Sequence, residues 1–188
     1  EGLISNSGFE KGSGTSINGW KQYDYHKDYE NDSSRTKFSL VDMGFDGQCL
    51  KIETVGGNDA RIYQEISVEG SSKYKVQFDA LYQNIDPVEG ERGAGLNIST
   101  KEGSQRTGGL YGSVDSWQTI TAYFKTEKRQ ESVELTIGIG GYSAESSGVV
   151  YIDNGTALEP YLVYIDDGAN WNLHLAYIDD GTNWITIS

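Results

Sequence analysis

Apolar and polar residues alternate along most of this chain, and a period of two predicts β-strands. The clearest run covers 73–82. One of its faces carries Tyr74, Val76, Phe78, Ala80 and Tyr82, and the other carries Lys75, Gln77, Asp79 and Leu81, continuing to Gln83. The same alternation predicts further strands over 48–54, 61–68, 95–100, 117–126, 133–139 and 149–153. About eight strands and almost no helical periodicity indicate an all-β chain.

Turn-forming residues separate these runs at 46–47, 56–59, 69–72 and 140–141. Short strands with Gly, Asn, Asp and Ser between them favour a two-sheet antiparallel β-sandwich of the jelly-roll type. The polar segments 23–37 and 84–93 are predicted as long loops. Trp117 begins an apolar run and is predicted to lie in the core.

The C-terminal region repeats a short motif. Tyr-Ile-Asp begins at 151, 164 and 177, each time 13 residues further on. An Asn-Gly or Asp-Gly pair follows each copy, which is a strong hairpin signal. We therefore expect a sandwich over 1–160 and a strand-turn tail over 161–188 that packs on the same domain as extra hairpin strands. A poorly packed local duplication and an artificial copy of the last strand are the alternatives.

Composition and charge limit the classes of partner that this chain is expected to bind. The chain has 188 residues, one cysteine (Cys49) and a net charge of −13. This length suits one β-domain, and a lone cysteine excludes an intramolecular disulfide. The negative charge disfavours nucleic acid and anionic membranes. No run of about 20 apolar residues predicts a membrane span. We therefore expect neither nucleic acid nor membrane as a partner.

Six short motifs occur in a characteristic order. The chain opens with Leu-Ile-Ser-Asn-Ser-Gly-Phe-Glu at 3–10, followed by Gly19-Trp20. The later motifs lie at 47–52, 63–68, 70–78, 117–120 and 151–153. Together they resemble the jelly-roll carbohydrate-binding modules of families four, nine, sixteen and twenty-two. The resemblance covers residues 3 to about 160 and weakens after Asp153, where the family usually ends. It implies a noncatalytic module that binds polysaccharide.

The resemblance also implies a structural calcium ion. The matching side-chain ligands are Glu10 and Asp153, and backbone carbonyls near Gly8 and Lys51 would complete the shell. The chemistry is suitable because calcium takes six to eight oxygen ligands from carboxylates and carbonyls. The ion would join the two ends of the sandwich in a fold without disulfides. The alternative is that Glu10 and Asp153 are solvated edge charges or turn-forming residues.

Sugar binding requires flat aromatic faces beside hydrogen-bonding groups. The aromatic candidates are Trp20, Tyr23, Tyr25, Tyr29, Tyr82, Tyr111 and Tyr142. The polar candidates are Arg61, Gln77, Gln83, Asn84, Asn97 and Arg106. Alternation puts Gln77 and Gln83 opposite the core, so we expect the groove along that face. For Trp20 the resemblance leaves both the core and the ligand cleft open.

Catalytic signatures are absent from the sequence. His26 and His174 lie in segments without a nucleophile motif, and no acid pair stands in a recognisable one. We predict a noncatalytic module that binds neutral chains such as β-glucan, xylan or mannan and targets an attached enzyme, secreted or at a cell surface. The alternatives are a calcium-stabilised adhesion or structural domain, and a jelly-roll glycoside hydrolase or lyase.

Overall fold

In the computed structural model, most of the chain forms two facing antiparallel sheets. The structure describes residues 2–88, 94–101 and 109–158, and the backbone of three further strands between 161 and 187. The first sheet has the order β3–β6–β10–β8. Its strands are β3 (Lys21–Asp24), β6 (Ala60–Ser67), β8 (Leu96–Thr100) and β10 (Ser132–Ile139). The all-β sandwich predicted from the sequence is confirmed.

The second sheet has five strands in the order β4–β5–β11–β7–β9. They are β4 (Thr36–Val41), β5 (Cys49–Asn58), β7 (Lys73–Pro87), β9 (Gln118–Lys125) and β11 (Ser146–Leu158). A small hairpin of β1 (Gly12–Ser13) and β2 (Ser16–Ile17) precedes them. One helix, α1 (Tyr25–Glu30), follows β3. No helix in the described part of the chain is long and apolar enough to cross a bilayer.

The core fills the space between the two sheets, as the alternation predicts. Tyr74 and Phe78 of β7 are at most 1% exposed, and Tyr74 stacks on Phe124 with ring centroids 5.0 Å apart. Phe9 stacks on Trp20 at 5.6 Å, and Trp20 meets Phe78 at 6.1 Å. Burying such aromatic rings supplies much of the stability of a fold that has no disulfide.

Two predicted loops contain regular structure. The segment 23–37 holds the end of β3, helix α1 and the start of β4. Asp24 caps the helix by accepting a hydrogen bond from the Lys27 N–H at 3.1 Å, and Asn31 ends it in the left-handed conformation. Six residues are too short for helical periodicity to be visible, so only the Asp and Asn caps could have signalled α1.

Strand β7 also runs further than predicted, through Pro87. Asn84 has φ +52° and faces Gly148 (φ +131°), where the register between β7 and β11 shifts. A bulge of this kind lets a strand continue past residues that read as a turn. The predicted turn at 56–59 is shorter, because β5 continues to Asn58. Residues 89–93 of the predicted loop lie outside the described residues.

The tail forms an antiparallel sheet of its own in the order β12–β13–β14. Its strands are β12 (Tyr161–Asp166), β13 (Trp171–Asp179) and β14 (Asn183–Ile187). The repeated motif therefore recurs in strands, as the hairpin pattern predicts. The proposed boundary near residue 160 and the packing of the tail on the sandwich stay predictions.

Candidate functional site

The outer face of the four-stranded sheet carries an open cavity of about 520 Å³. Its floor comes from β6, β8 and β10, on the side opposite the core residues Ile62, Ile98 and Leu135. The residues that line it are Tyr23, Tyr29, Arg61, Tyr63, Ser99, Thr100, Lys101, Glu134, Thr136 and Tyr142. We call this cavity the tyrosine groove, since four of these residues are tyrosines.

Strand register places the floor residues side by side. Tyr63 of β6 pairs with Thr136 of β10, which pairs with Ser99 of β8. Gly138 lies opposite Arg61 in the same ladder. A Cβ atom at Gly138 would collide with the backbone of β6 and lie 2.9 Å from Arg61 Cγ. Glycine at this position therefore leaves room for the Arg61 side chain.

Arg61 is fixed at one side of the floor. Its Nε lies 2.6 Å from Asp59 Oδ1, and its Nη2 donates to Asp59 Oδ2 at 2.8 Å. The guanidinium carbon also lies 5.2 Å from the centre of the Tyr23 ring. One hydrogen bond and one close ion-pair contact therefore hold the guanidinium beside Asp59.

Tyr23 keeps its phenolic proton. Partial burial raises the pKa of Tyr23, the charge of Asp59 and the nearby Tyr29 raise it further, and Arg61 opposes them. A hydroxyl that stays neutral can both donate and accept a hydrogen bond. Tyr23 therefore offers a ligand in the groove an apolar ring and a hydroxyl that can donate or accept a hydrogen bond.

Two exposed tyrosines stand at the walls of the groove. Tyr29 lies on α1 and is 67% exposed, and Tyr142 lies in the turn after β10 and is 84% exposed. Tyr25, also on α1, is half-buried and stacks on Tyr29 with ring centroids 5.4 Å apart. The Tyr142 turn is closed by two hydrogen bonds between Gly141 and Ala144, at 3.0 and 3.1 Å. Short, fixed elements therefore position both rings.

The cationic groups around the groove have acidic or aromatic neighbours. Lys101 Nζ lies 3.7 Å from Glu134 Oε2, and Lys21 Nζ lies 5.9 Å from the centre of the Tyr63 ring. Arg61 faces Asp59, as described above. This pairing leaves little net charge at the lining. A neutral, hydroxyl-rich ligand therefore suits the groove better than an anionic one.

Three predicted ligand residues are buried. Trp20 is 7% exposed in the core, and its Nε1 donates to the Asn6 carbonyl at 3.2 Å. Tyr82 is 8% exposed on the inner face of β7. Asn97 is 1% exposed and donates to the carbonyls of Gly95 and Gly140, at 3.1 and 2.9 Å. None of these side chains presents a free face to a ligand, and each supports the fold instead.

Other candidates lie away from the groove. Gln77 and Gln83 are on the outer face of the five-stranded sheet, where the groove was expected. Gln77 donates to Thr121 there at 3.1 Å. Alternation assigned these residues correctly to the outside but could not tell which sheet carries the cavity. Tyr111 is 45% exposed and lies outside the lining of the groove. Arg106 lies outside the described residues.

Two remaining predictions concern single side chains. Asn84 is exposed at the bulge of β7, where its backbone N–H donates to Ser113 Oγ at 2.9 Å. Trp117 precedes β9 and is half-buried rather than in the core. It meets the exposed ring of Phe45 edge-on at 6.4 Å.

Sequence reasoning missed several lining residues. They are Tyr63, Ser99, Thr100, Lys101, Glu134 and Thr136. Alternation in β6 puts Tyr63 on the same face as Arg61, so that pattern could have found it. The others are common polar residues, and only the strand order brings them together.

The predicted metal residues Glu10 and Asp153 do converge. A Cβ atom at Gly8 would lie 3.8 Å from Asp153 Oδ1 and 3.9 Å from Glu10 Cγ. The Gly155 N–H also donates to the Ser7 carbonyl at 2.8 Å, which joins the N-terminal segment to β11. The expected meeting of the first and last motifs is therefore present.

Backbone N–H groups surround both carboxylates. Asp153 Oδ2 accepts from Phe45 at 2.8 Å and from Asp46 at 3.3 Å, and Glu10 Oε1 accepts from Gln48 at 2.8 Å. Asp153 is fully buried. Neither acid forms an ion pair with a cationic side chain of the described residues. Two adjacent carboxylates of this kind match the donors that calcium prefers.

Burial raises the pKa of Asp153, and the neighbouring charge of Glu10 raises it further against the N–H donors. A bound cation would relieve both effects. Within the described residues, no group of three or more His, Cys, Asp or Glu side chains is arranged to hold a metal ion. Backbone oxygens would therefore have to complete the ligand shell of a calcium ion. Gly8 is a candidate for one of them, because it lies beside both carboxylates.

Lys51 fits the predicted metal site poorly. It lies in the middle of β5, paired with Ser39 on one side and Tyr151 on the other. Its backbone forms part of the sheet ladder, and Lys51 lies two residues along β5 from the position opposite Asp153. Its side chain contacts Glu53 at 2.6 Å on the outer face of the sheet.

Comparisons with solved structures identify the fold of this chain. No family model and no curated protein matches this chain. A solved structure described as a CBM4 module covers 83% of this chain and 99% of its own, at 17% identity and a TM-score of 0.50. The module TmCBM61, solved with β-1,4-galactotriose, covers 85% and 99% at 13% identity and a TM-score of 0.53. A Stig cyclase from Fischerella sp. TAU covers 84% and 96% at 16% identity and a TM-score of 0.58.

These identities are low, so the similarity concerns architecture and not activity. CBM modules and a cyclase share the same sandwich, and the function of this chain must be argued from its own groove. The resemblance predicted from the ordered motifs is thereby confirmed at the level of the fold. The chain has the jelly-roll fold of carbohydrate-binding modules.

Proposed function

We propose that this protein binds neutral polysaccharide or oligosaccharide chains in the tyrosine groove. The observation that carries the proposal is the composition of the lining. Four tyrosines line an open cavity of about 520 Å³ together with hydroxyl, guanidinium, amine and carboxylate groups. Sugar rings offer C–H faces to aromatic rings and hydroxyls to fixed polar groups. The similar architecture of carbohydrate-binding modules also supports the proposal that this groove binds sugar.

The preference for neutral chains follows from the charges. Arg61 and Lys101 face Asp59 and Glu134, so an anionic sugar would have to compete with built-in acids. The net charge of −13 would also repel an anionic polymer at long range. Affinity should be modest, because an open groove leaves ligand and water in exchange.

We propose that binding is noncatalytic. Glycoside hydrolysis uses two carboxyl groups on either side of the scissile bond. Among the described lining residues, Glu134 is the one carboxylate, and it faces Lys101. A bound chain would therefore be held without an acid and base pair across it. Targeting of an attached secreted enzyme, or of a cell surface, stays part of the proposal.

The test compares two tyrosines in matched surroundings. Tyr63 lies in the groove with Lys21 5.9 Å from its ring centre, and Tyr151 lies on the five-stranded sheet with Lys51 at 6.0 Å. Affinity electrophoresis against soluble β-glucan, xylan and mannan should show retardation of the wild type by at least one polymer. Tyr63→Ala should lose it and Tyr151→Ala should keep it.

Loss of retardation in Tyr151→Ala but not in Tyr63→Ala would instead indicate a binding site on the five-stranded sheet. Absence of retardation by every polymer would contradict the proposal, and self-association on adding calcium would then favour an adhesion domain. Release of reducing sugar from a polymer would instead favour a hydrolase.

We also propose that Glu10 and Asp153 hold a structural calcium ion. Their convergence beside Gly8 and the full burial of Asp153 support this assignment. The ion would neutralise two adjacent acids and stabilise the folded state by mass action. A lower melting temperature in chelator, restored by calcium, would support the site, and an unchanged melting curve would contradict it.

A further inference from the structure

The buried imidazole of His26 connects the two walls of the tyrosine groove. His26 lies on α1 and is 5% exposed. Its Nδ1 lies 2.6 Å from Glu30 Oε2, one helical turn further along α1. Its Nε2 lies 3.0 Å from Glu145 Oε2, which belongs to the segment after the Tyr142 turn. We call these three residues the histidine clasp.

The clasp residues are close in sequence to both wall tyrosines. Tyr29 is three residues after His26 on α1, and Tyr142 is three residues before Glu145. The backbone on the Glu145 side is anchored, because the Val88 N–H donates to the Glu145 carbonyl at 3.1 Å. The position of α1 relative to the Tyr142 turn therefore depends on the contact between His26 and Glu145.

The two ring nitrogens of His26 make unequal contacts. Nε2 lies 3.1 Å from Glu145 Oε1 and 3.0 Å from Glu145 Oε2, within hydrogen-bond distance of both oxygens. Nδ1 is close to Glu30 but has no hydrogen-bond partner among the described residues. An imidazole that carries a proton on Nε2 donates to Glu145, so this contact is the one that joins α1 to the Tyr142 turn.

Other groups around His26 do not replace the contact with Glu145. From α1, the Tyr25 ring lies edge-on at 5.4 Å. From β5, Asn58 Oδ1 accepts the His26 backbone N–H at 3.3 Å, and Asn58 Nδ2 donates to Asp24. The Asp32 backbone N–H donates to the His26 carbonyl at 3.0 Å. In these contacts Glu30 and Glu145 are the charged groups that reach the imidazole ring.

We infer that the histidine clasp positions the wall tyrosines for sugar binding. This inference rests on the proposed function of the tyrosine groove. The contact between His26 Nε2 and Glu145 holds α1 against the Tyr142 turn, and so sets the spacing of Tyr29 and Tyr142. Without it, α1 loosens from the Tyr142 turn. His26 and Glu145 are thus positioning residues and need not touch the sugar.

The test measures the dissociation constant of a retained oligosaccharide. Glu145→Ala should weaken affinity by roughly tenfold, as expected for the loss of one charge-assisted contact. Glu145→Gln should recover most of this loss, because its amide oxygen can still accept from His26 Nε2. His174→Gln, which changes the other histidine of the chain, should keep the wild-type affinity. Glu53→Gln serves as a control for removing an acid elsewhere, since Glu53 pairs with Lys51 on the other sheet.

A second readout separates this inference from the proposed function. The amide signals of Tyr29 and Tyr142, followed by NMR without any sugar, should both shift in Glu145→Ala and return towards their wild-type positions in Glu145→Gln. Wild-type affinity in Glu145→Ala, or unchanged Tyr29 and Tyr142 signals, would overturn the clasp. If no sugar binds while these signals shift, the sugar-binding proposal fails and the clasp stands as a structural device.

Discussion

Removing the ring of Tyr142 should weaken sugar binding without weakening the fold. A tyrosine side chain buries about 150–250 Å² when it is fully covered. Because Tyr142 is 84% exposed, a sugar that covers one of its two faces would remove about 80 Å² from water. At about 25 cal/mol per Å² this burial corresponds to about 2 kcal/mol. Ordering of the ring and of the sugar reduces the net value.

We therefore expect Tyr142→Ala to raise the dissociation constant by about 5- to 30-fold, which corresponds to about 1–2 kcal/mol. Tyr29, at 67% exposed, should give a slightly smaller effect. Titration calorimetry with a retained oligosaccharide measures both. Each variant should unfold within about 0.5 kcal/mol of the wild type, since exposed side chains contribute little to stability.

The matched control is Tyr123→Ala, because Tyr123 is 47% exposed on β9 of the other sheet. Its dissociation constant should equal that of the wild type. The reasoning is refuted if Tyr142→Ala and Tyr29→Ala bind as tightly as the wild type, or if Tyr123→Ala is the variant that loses binding.

Three further predictions concern the fold and the carboxylate pair. Because burial raises the pKa of Asp153, the metal-free protein should gain stability as the pH falls through that pKa. Asp153→Asn should remove both this pH dependence and the response of the melting temperature to calcium. A calcium response that survives in Asp153→Asn would contradict the site. Burial, followed by the charge of Asp153, raises the pKa of the Cys49 thiol to about 12, so iodoacetamide should leave Cys49 unmodified at pH 8 until the chain unfolds. Stability should also fall above about pH 9, where the unfolded thiol ionises, and rapid native alkylation would contradict this burial. Trp20→Ala should lower the free energy of unfolding in urea by about 3–5 kcal/mol; a change below about 1 kcal/mol would mean that Trp20 is not in the core.

The sandwich was predictable from the sequence because most of its strands alternate. The inner positions of β7 and β6, such as Phe78 and Ile62, are buried as the period of two requires. Helix α1 was not predictable by the same rule, because six residues do not complete two turns. The extension of β7 through Pro87 was missed because Asn84 reads as a turn residue, whereas here it forms a bulge.

The site was predictable in part. Tyr23, Arg61 and Tyr142 were singled out by residue type, and all three line the groove. Placing the groove required the strand order, because alternation separates inside from outside but treats the two outer faces alike. Ambiguity about Trp20 had a similar origin, since one aromatic residue after a turn can face the core or the solvent.

The most direct test of the account is to map where a retained oligosaccharide touches the protein. Amide chemical shifts of the ¹⁵N-labelled chain should change on β6 around Arg61 and Tyr63, and on β10 around Thr136, when the sugar is added. The amides of Gln77 and Gln83 on the five-stranded sheet should stay unchanged. Shifts confined to Gln77 and Gln83, with the floor of the tyrosine groove unaffected, would contradict the central claim.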